Sequence, residues 1–360
     1  MSTIMRTMST LQTSLTGRRR VAELGLALSN AGKEATTGLK ADVYRSLGLQ
    51  SGEAMALRAR RGRVESFVAS NTLLANKMVM TAHAMSTMRE TAQTFLNQAV
   101  SSRDSLTQSA AYLQTAAKTA IEQLTTQLNS SFDGTSLFSG TMSDRTPLQV
   151  WDAASAATGL SPRGVVEGVI GAGITSAADA TAKAAELKMI FDSADTVTPA
   201  RNFEGTFFNG TPLQDPLGAA SSRLTARIDE GVVLNYGVQA NDPAFTELFR
   251  GLSMIAGTDV NTITDPAAYA AWMKEAVDTV AGGISRLTAA EQVLGSQQQS
   301  LDLTLASQET QVDIYANQVL ALEGVDAFEA ASRVNLLQTQ MEATYAVTAR
   351  LSRLTFLNYM

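Results

Sequence analysis

Side chains that could carry out chemistry are scarce in this sequence. Cysteine is absent, which excludes a cysteine nucleophile, a disulfide framework and a Cys-ligated zinc site. The single histidine, His83, argues against an imidazole metal cluster and against Ser-His-Asp catalysis. Carboxylates are plentiful, but no motif pairs two of them as acid and base. We therefore predict no catalytic residue, no metal ligand and no cofactor, and we interpret His83 as a helix-surface residue.

One glycine-rich segment, Gly168–Gly173, has some likeness to a phosphate-binding loop. It lacks the Lys-Ser/Thr ending of that motif and the full spacing of a dinucleotide-binding motif. We interpret it as a loop or turn.

Charge is distributed unevenly, and the net charge is −6. Residues 1–63 hold 11 Lys/Arg against 4 Asp/Glu, whereas the remainder holds 17 against 30. No aromatic residues are interleaved with the arginines for base stacking, so we predict no nucleic-acid partner. The basic segment is better explained by acidic neighbours in an assembly. No apolar run approaches the length of a membrane span, and no cleavable signal is visible, which predicts a protein with no membrane partner.

The elements that would position any site are helices at both chain ends. The spacing of apolar residues predicts a first helix from Ser2 to about Asn30, followed by a loop from Asn30 to Gly52. A seven-residue repeat from Val64 to Phe95 predicts a long second helix, with a possible interruption at Ser101–Ser105.

The helical pattern resumes at Leu113–Leu128 and returns from about Ala268 to about Leu322. Asp326 is placed to cap a last helix that runs almost to Met360, with Glu329 three residues later as a variant capping box.

The middle of the chain has a different character, because all seven prolines lie between Pro147 and Pro266. Alternating apolar residues on both sides of Asp229-Glu230-Gly231 predict a β-hairpin. Ala177–Phe191 is predicted to be a helix packed on a small sheet.

These patterns predict a mainly α fold, in which a long antiparallel helical bundle or coiled coil from both chain ends carries an inserted small α+β domain. The predicted divisions are an N-terminal helix and loop at 1–50, a long helical domain at 51–140 and 251–324, a surface domain at 141–250, and a C-terminal helix at 325–360.

Two C-terminal segments, Asp326–Tyr345 and Leu351–Met360, resemble the flagellin superfamily, and within it the flagellar hook-associated protein 3 group at the hook–filament junction. Glu34–Asp42 and Arg63–Asn71 resemble the first loop and second helix of that family. The match to the middle domain is patchier and rests on three short segments, Phe207–Gly210, Arg223–Ile228 and Tyr236–Asn241. The paired acidic residues that precede Ala-Ala-Gly in typical flagellins are not apparent, which favours the junction group.

The resemblance implies a structural subunit that passes through the flagellar type III export channel without a cleaved signal and assembles extracellularly. It implies four kinds of partner: copies of the chain in a ring, hook-associated protein 1, flagellin and a flagellar export chaperone. Flagellin itself, or a flagellin-like filament subunit, is the alternative. A secreted coiled-coil translocator would carry a hydrophobic membrane-inserting hairpin, and an enzyme would need a deep polar pocket in residues 141–250.

The terminal helices are predicted to form the assembly interface, because apolar residues at the end of a chain are hard to bury within one monomer. The predicted interface residues are Ile4, Met8, Leu11, Leu15, Val334, Leu337, Met341, Leu351, Leu354, Phe356, Leu357 and Tyr359.

Overall fold

A computed structural model of the chain describes residues 10–102 and 110–357, and it is mainly α-helical as predicted. The helices are α1 (Thr10–Thr37), α2 (Val43–Leu47), α3 (Ser51–Ser102), α4 (Ala110–Leu128), α5 (Pro162–Ile170), α6 (Ala177–Phe191), α7 (Pro243–Ala256), α8 (Pro266–Glu323) and α9 (Ala327–Leu357).

Within the described residues, the β-strands form two antiparallel two-stranded sheets, and a few isolated bridges lie outside them. The first joins β1 (Ser131–Phe132) to β2 (Thr135–Ser136), and the second joins β3 (Thr225–Asp229) to β4 (Val232–Asn235). The second sheet confirms the predicted hairpin. Its turn contains Gly231, whose φ of 80° lies in the left-handed region that glycine adopts without strain.

The predicted loop from Asn30 to Gly52 is wrong over most of its length. Helix α1 continues to Thr37 and ends at Gly38, where φ is +68° and the Gly38 N–H donates to the carbonyl of Glu34 at 2.9 Å. Gly32 lies inside the helix, because a single glycine weakens a helix without ending it. The irregular segment is reduced to the few residues around Gly38–Asp42.

The long helices follow their predicted repeats closely. In α8, Val280, Leu287, Leu294 and Leu301 recur every seven residues, and all four are buried. In α3, Met78 and Met85 lie seven residues apart, as do Met88 and Phe95, and all four are buried. His83 is exposed, as predicted. Helix α8 begins and ends within two residues of its predicted bounds.

Two helices of the middle region were not predicted. Helix α5 is capped by Ser161, whose Oγ accepts from the Gly164 N–H at 3.0 Å, and it extends to Ile170. The interpretation of Gly168–Gly173 as a loop or turn is therefore correct only after Ile170. Helix α7 is buried along nearly its whole length, yet its sequence carries a helical period, because Phe245, Leu248 and Leu252 recur in steps of three and four.

Helix α7 lies close to α8 because each helix presents a glycine to the other. A Cβ added at Gly251 would lie 2.6 Å from Cγ2 of Val280, and one added at Gly283 would lie 2.8 Å from the Leu248 side chain. Helix α6 has the predicted bounds, but its main contacts are with α5 and α7 and not with a sheet. Four aromatic rings complete this core, with centroid separations of 5.0–6.4 Å: Phe191, Phe203, Phe207 and Phe249.

The chain divides into two compact units, which are described separately below. One consists of the chain up to Val68 and from Ser307 onward, here called the terminal unit. The other is Ala69–Ala306, here called the central unit. The finer domain boundaries inferred from the sequence stay predictions.

Candidate assembly interface

The terminal unit is built on the pairing of the two chain ends. Helices α1 and α9 contact each other, and the small residues Ala31 and Ala330 are both buried. Small side chains allow two helix backbones to approach closely. On α9, Val334, Leu337 and Met341 are half-buried.

The predicted interface residues do not all have the same environment. Leu15 leaves 57% of its surface exposed, so it is available to a neighbour in the isolated chain. The half-buried Val334, Leu337 and Met341 contribute to the chain's own terminal unit and retain some exposed surface. Five further residues lie on α1 or α9, whose backbone is described there: Leu11, Leu351, Leu354, Phe356 and Leu357. Ile4, Met8 and Tyr359 lie outside the described residues.

Sequence reasoning missed several large apolar side chains that the terminal helices expose. Phe328 is 82% exposed near the start of α9, and the others lie off the stripes from which the interface was predicted. These residues are Leu26, Leu336, Tyr345 and Val347. Apolar side chains exposed in this number along two helices are typical of a surface that associates with another protein. The apolar residues between the stripe positions were therefore a further sequence signal for an interface.

A short backbone junction ties the end of α1 to the start of α9. Leu39 and Gly324 form an antiparallel bridge, and the Val325 N–H donates to the carbonyl of Gly38 at 2.9 Å. The Lys40 N–H donates to the carbonyl of Glu323 at 2.8 Å, and Lys40 Nζ donates to the carbonyl of Leu322 at 2.7 Å. The Lys40 ammonium thus satisfies a carbonyl at the end of α8, where a positive charge is also favourable for the helix dipole.

Two carboxylates reinforce this junction. The Glu34 carboxylate accepts from the Ala41 N–H at 3.1 Å and lies 3.6 Å from the Arg333 guanidinium, so it connects α1 to α9. Glu323 pairs with Arg58 through Oε2, and its side chain is only 1% exposed. Its other oxygen, Oε1, is buried and has no hydrogen-bond partner.

A groove of about 530 Å³ opens beside Glu323. Its apolar wall is formed by Leu39, Ala316, Val319 and Leu320. Its polar side is formed by Arg58, Arg61, Glu65 and Glu323, and Arg61 Nε donates to Glu65 at 2.8 Å. Every charged group of this lining therefore has an ionic partner, and the free acceptor is Glu323 Oε1.

Comparison with known families decides the class of protein. The bacterial flagellin N-terminal helical region matches residues 8–143, and the flagellin C-terminal helical region matches residues 277–360. Together the two regions cover more than half of the chain, and they contain both of the helices that pair in the terminal unit. The chain belongs to the flagellin family. Flagellins are structural proteins of the bacterial flagellum, an extracellular appendage, and they self-assemble into its polymers.

One solved structure supports the flagellin fold. It is a protein from Vibrio parahaemolyticus described as a flagellar hook-associated protein, with a TM-score of 0.50 and 11% identity. The match covers 76% of this chain and 96% of the other. No curated protein matches this sequence. At this identity the likeness concerns the fold alone.

The described residues of this flagellin-family chain contain no group of three His, Asp or Glu side chains placed to hold a metal ion. Across 10–102 and 110–357, no helix has an apolar stretch long enough to cross a membrane. In the middle region, a pocket of about 190 Å³ is lined by Asp192, Glu204 and Asn241, which is small for a substrate site.

Among the described residues, two carboxylates have clearly lowered pKa values, and both hold the backbone in place. The Thr175 N–H and the Lys183 ammonium lower the pKa of Asp179 at the start of α6. The Thr198 N–H and the Arg201 guanidinium do the same for Asp195. Neither residue lines that pocket, and a carboxylate stabilised in its charged form makes a poor acid at neutral pH.

Proposed function

We propose that this chain is the flagellar subunit that joins the hook-associated region to the flagellin filament. The observation that carries the proposal is the likeness in fold to the Vibrio protein described as hook-associated, which extends over 96% of that chain. The C-terminal segments from Asp326 and Leu351, which resemble the junction group in sequence, add to it. The paired terminal helices supply the means of assembly.

The proposed assembly uses the apolar side chains that one copy cannot cover. Such contacts join different surfaces of successive copies, and heterologous contacts close into a ring if the rotation between copies allows it. In this proposal copies form a ring at the distal end of the hook, with hook-associated protein 1 on one side and flagellin on the other. The chain reaches that position through the type III channel with an export chaperone, and no signal peptide is cleaved.

The predicted interface residues belong to this proposal. Deletion of Leu351–Met360 should reduce incorporation into flagella, because it removes the apolar end of α9. Quantitative immunoblotting of sheared flagella measures the effect. Unchanged incorporation would contradict an interface role for this end of the chain.

A second candidate, a flagellin or flagellin-like filament subunit, is favoured by one observation. The matching family regions are those of flagellin itself and cover the helices at both ends. A filament subunit polymerises alone into long tubes, whereas a junction subunit stops after forming its own short layer.

Deletion of the gene in the source bacterium separates the two candidates. A junction role predicts hooks without filaments and flagellin shed into the culture medium, as seen by electron microscopy and immunoblotting. Filaments that are missing with no flagellin in the medium, or that are merely shortened, would favour the filament subunit. Unchanged flagella and motility would reject both.

A further inference from the structure

Several charged side chains of the terminal unit are neutralised within the chain. The ion pairs that do so are Arg58–Glu323, Arg61–Glu65, Arg333–Glu34 and Arg333–Glu329. Two groups of exposed charges in the same unit have no ionic partner among the described residues. One group is basic and lies on α1, and the other is acidic and lies on α8.

The basic group is Arg18–Arg20, the longest run of basic residues in the sequence. All three arginines are exposed, and none of them forms an ion pair with a described residue. Glu23 lies one turn later on α1, and three arginines against this one glutamate leave a local net charge of +2. Leu15 is exposed and lies three residues before Arg18, so it is on the same face of the helix. Leu15 and Arg18–Arg20 are here called the basic patch.

The acidic group lies on the last part of α8. Residues 307–332 contain five Asp/Glu and no Lys/Arg. Three of these five carboxylates are used by the chain itself, two in the ion pairs above and one as the cap of α9. The two that remain, Glu309 and Asp313, are exposed and form no ion pair with a described residue. Leu320, seven residues after Asp313 on the same face, is also exposed, and these three residues are here called the acidic patch.

Each patch is unfavourable in an isolated copy. Glu309 and Asp313 are four residues apart on one helix, where like charges repel each other, and the neighbouring arginines repel each other in the same way. An opposite charge supplied from outside the copy relieves the repulsion and adds an attraction. Each patch also places an exposed leucine beside its charges, and interfaces combine apolar contact with charges of complementary sign.

We propose that the basic patch of one copy pairs with the acidic patch of a second copy. A second copy is the partner that fits, because the same unit carries both members of a complementary pair and leaves both unpaired within itself. The two patches are different surfaces, so the contact is heterologous, and a copy that uses one patch keeps the other for its next neighbour. This inference rests on the self-assembly in the proposed function and adds the residues of one contact between copies.

Reversal of the charges in two separate full-length chains tests the contact. The first variant carries Arg18→Glu, Arg19→Glu and Arg20→Glu, and the second carries Glu309→Arg and Asp313→Arg. In either variant alone both patches have the same sign, so self-association should be at least about tenfold weaker than in wild type. An equimolar mixture brings opposite signs together again and should associate within about threefold of wild type. Sedimentation velocity of the purified chains measures association.

The controls reverse exposed charges outside the two patches. Arg45→Glu on α2 and Glu342→Arg on α9 should leave association unchanged. Added salt should weaken association of the wild type, because exposed charges are screened. Thermal unfolding verifies that each variant folds, and the neutral change Asp313→Asn, expected to weaken association about twofold to tenfold, replaces a variant that does not. A mixture that stays monomeric while wild type associates, or an association that salt does not change, would overturn the contact.

Cross-linking in flagella separates the contact from the proposed function. The natural chain has no cysteine, so a chain carrying both Arg19→Cys and Asp313→Cys joins its copies only where the patches meet. A short thiol-reactive cross-linker should give a ladder of multiples of the chain mass, and the control pair Arg45→Cys and Asp313→Cys should give little. Flagella that contain the chain without a ladder would overturn the contact and leave the function standing. A ladder from whole filaments built of this chain would support the contact and overturn the junction role, whereas flagella that lack the chain would reject both.

Discussion

The two units of this protein bury their apolar residues in different ways. The central unit surrounds Trp272, Phe138 and Phe245 completely with its own chain. The terminal unit leaves Phe328 and Leu336 exposed, even though its helices pair along their length. A core that is complete in one copy makes a rigid body, whereas a core left incomplete in one copy can be completed by another. The difference supports our proposal that the terminal unit supplies the contacts between copies.

Glycines follow this distinction only in part, because open helical glycines occur in the central unit as well. In the central unit, Gly251 and Gly283 are crowded by the chain's own side chains. In the terminal unit, a Cβ added at Gly25, Gly32 or Gly62 would have no neighbour within 4 Å, although all three lie inside helices. Packing within one copy explains the glycines at 251 and 283. No such packing explains Gly25, Gly32 and Gly62.

Loss of a core ring should have the largest effect on the central unit. Phe245→Ala should lower its free energy of unfolding by about 3–5 kcal/mol, because the ring is fully buried and leaves a cavity. Urea unfolding of the monomer measures this. The matched change in the terminal unit, Phe328→Ala, should stay within about 0.5 kcal/mol, because the ring is exposed. Equal losses of unfolding free energy in the two variants would contradict the distinction between the units.

A charge on the exposed face of α9 should impair assembly and leave the monomer intact. Leu336→Asp should reduce incorporation into flagella about tenfold or more, since it places a carboxylate in an apolar contact. Val197→Asp, at a still more exposed apolar position of the central unit, serves as the control and should incorporate normally. If both variants incorporate equally well, the exposed face of α9 is not an interface.

Alanine should change stability in opposite directions at a crowded glycine and at an open helical glycine. Gly251→Ala should destabilise the monomer by about 1–3 kcal/mol, because its Cβ would overlap Val280. Gly62→Ala should stabilise it by up to about 1 kcal/mol, because alanine is the better helix former and the space is open. Thermal unfolding of both monomers provides the test, and a destabilised Gly62→Ala would place that glycine in a contact within one copy.

The smallest expected effect concerns pH and Asp195. The Thr198 N–H and Arg201 hold the pKa of this carboxyl below its ordinary value. Its contribution to stability is therefore complete above the unfolded pKa of about 3.9 and is lost as the pH falls through the folded pKa. At pH 7 the melting temperature of Asp195→Asn should be slightly below that of wild type. The difference between the two melting temperatures should become smaller in acid. Asp144→Asn at an exposed site is the control, and a gap that widens in acid would contradict the assignment.

The sequence predicted those elements whose apolar residues follow a regular period. The repeat of Val280, Leu287, Leu294 and Leu301 placed α8 within two residues at both ends. Alternation around Gly231 placed the hairpin for the same reason. Helix α7 was missed although Phe245, Leu248 and Leu252 recur at helical spacing, so the sequence did contain a signal for it.

The candidate interface was predicted only in part. Apolar stripes located the terminal helices, but a stripe cannot tell whether a given side is covered by the chain itself. Val334 is half-buried and Leu336, two residues later, is exposed, which depends on where α1 lies. The groove and Glu323 Oε1 depend on contacts between segments far apart in sequence, and no local pattern reports them.

The junction at Lys40 has a consequence for the order of folding. Lys40 and Leu322 are 282 positions apart, so the bond between them can form only after almost the whole chain is available. Contacts of such separation carry a large loop-closure entropy, which is reduced once the intervening chain is compact. We therefore expect the central unit to fold first and the terminal pair to close last. In pulse-labelled hydrogen exchange during refolding, the amides of α7 should gain protection before those of α1.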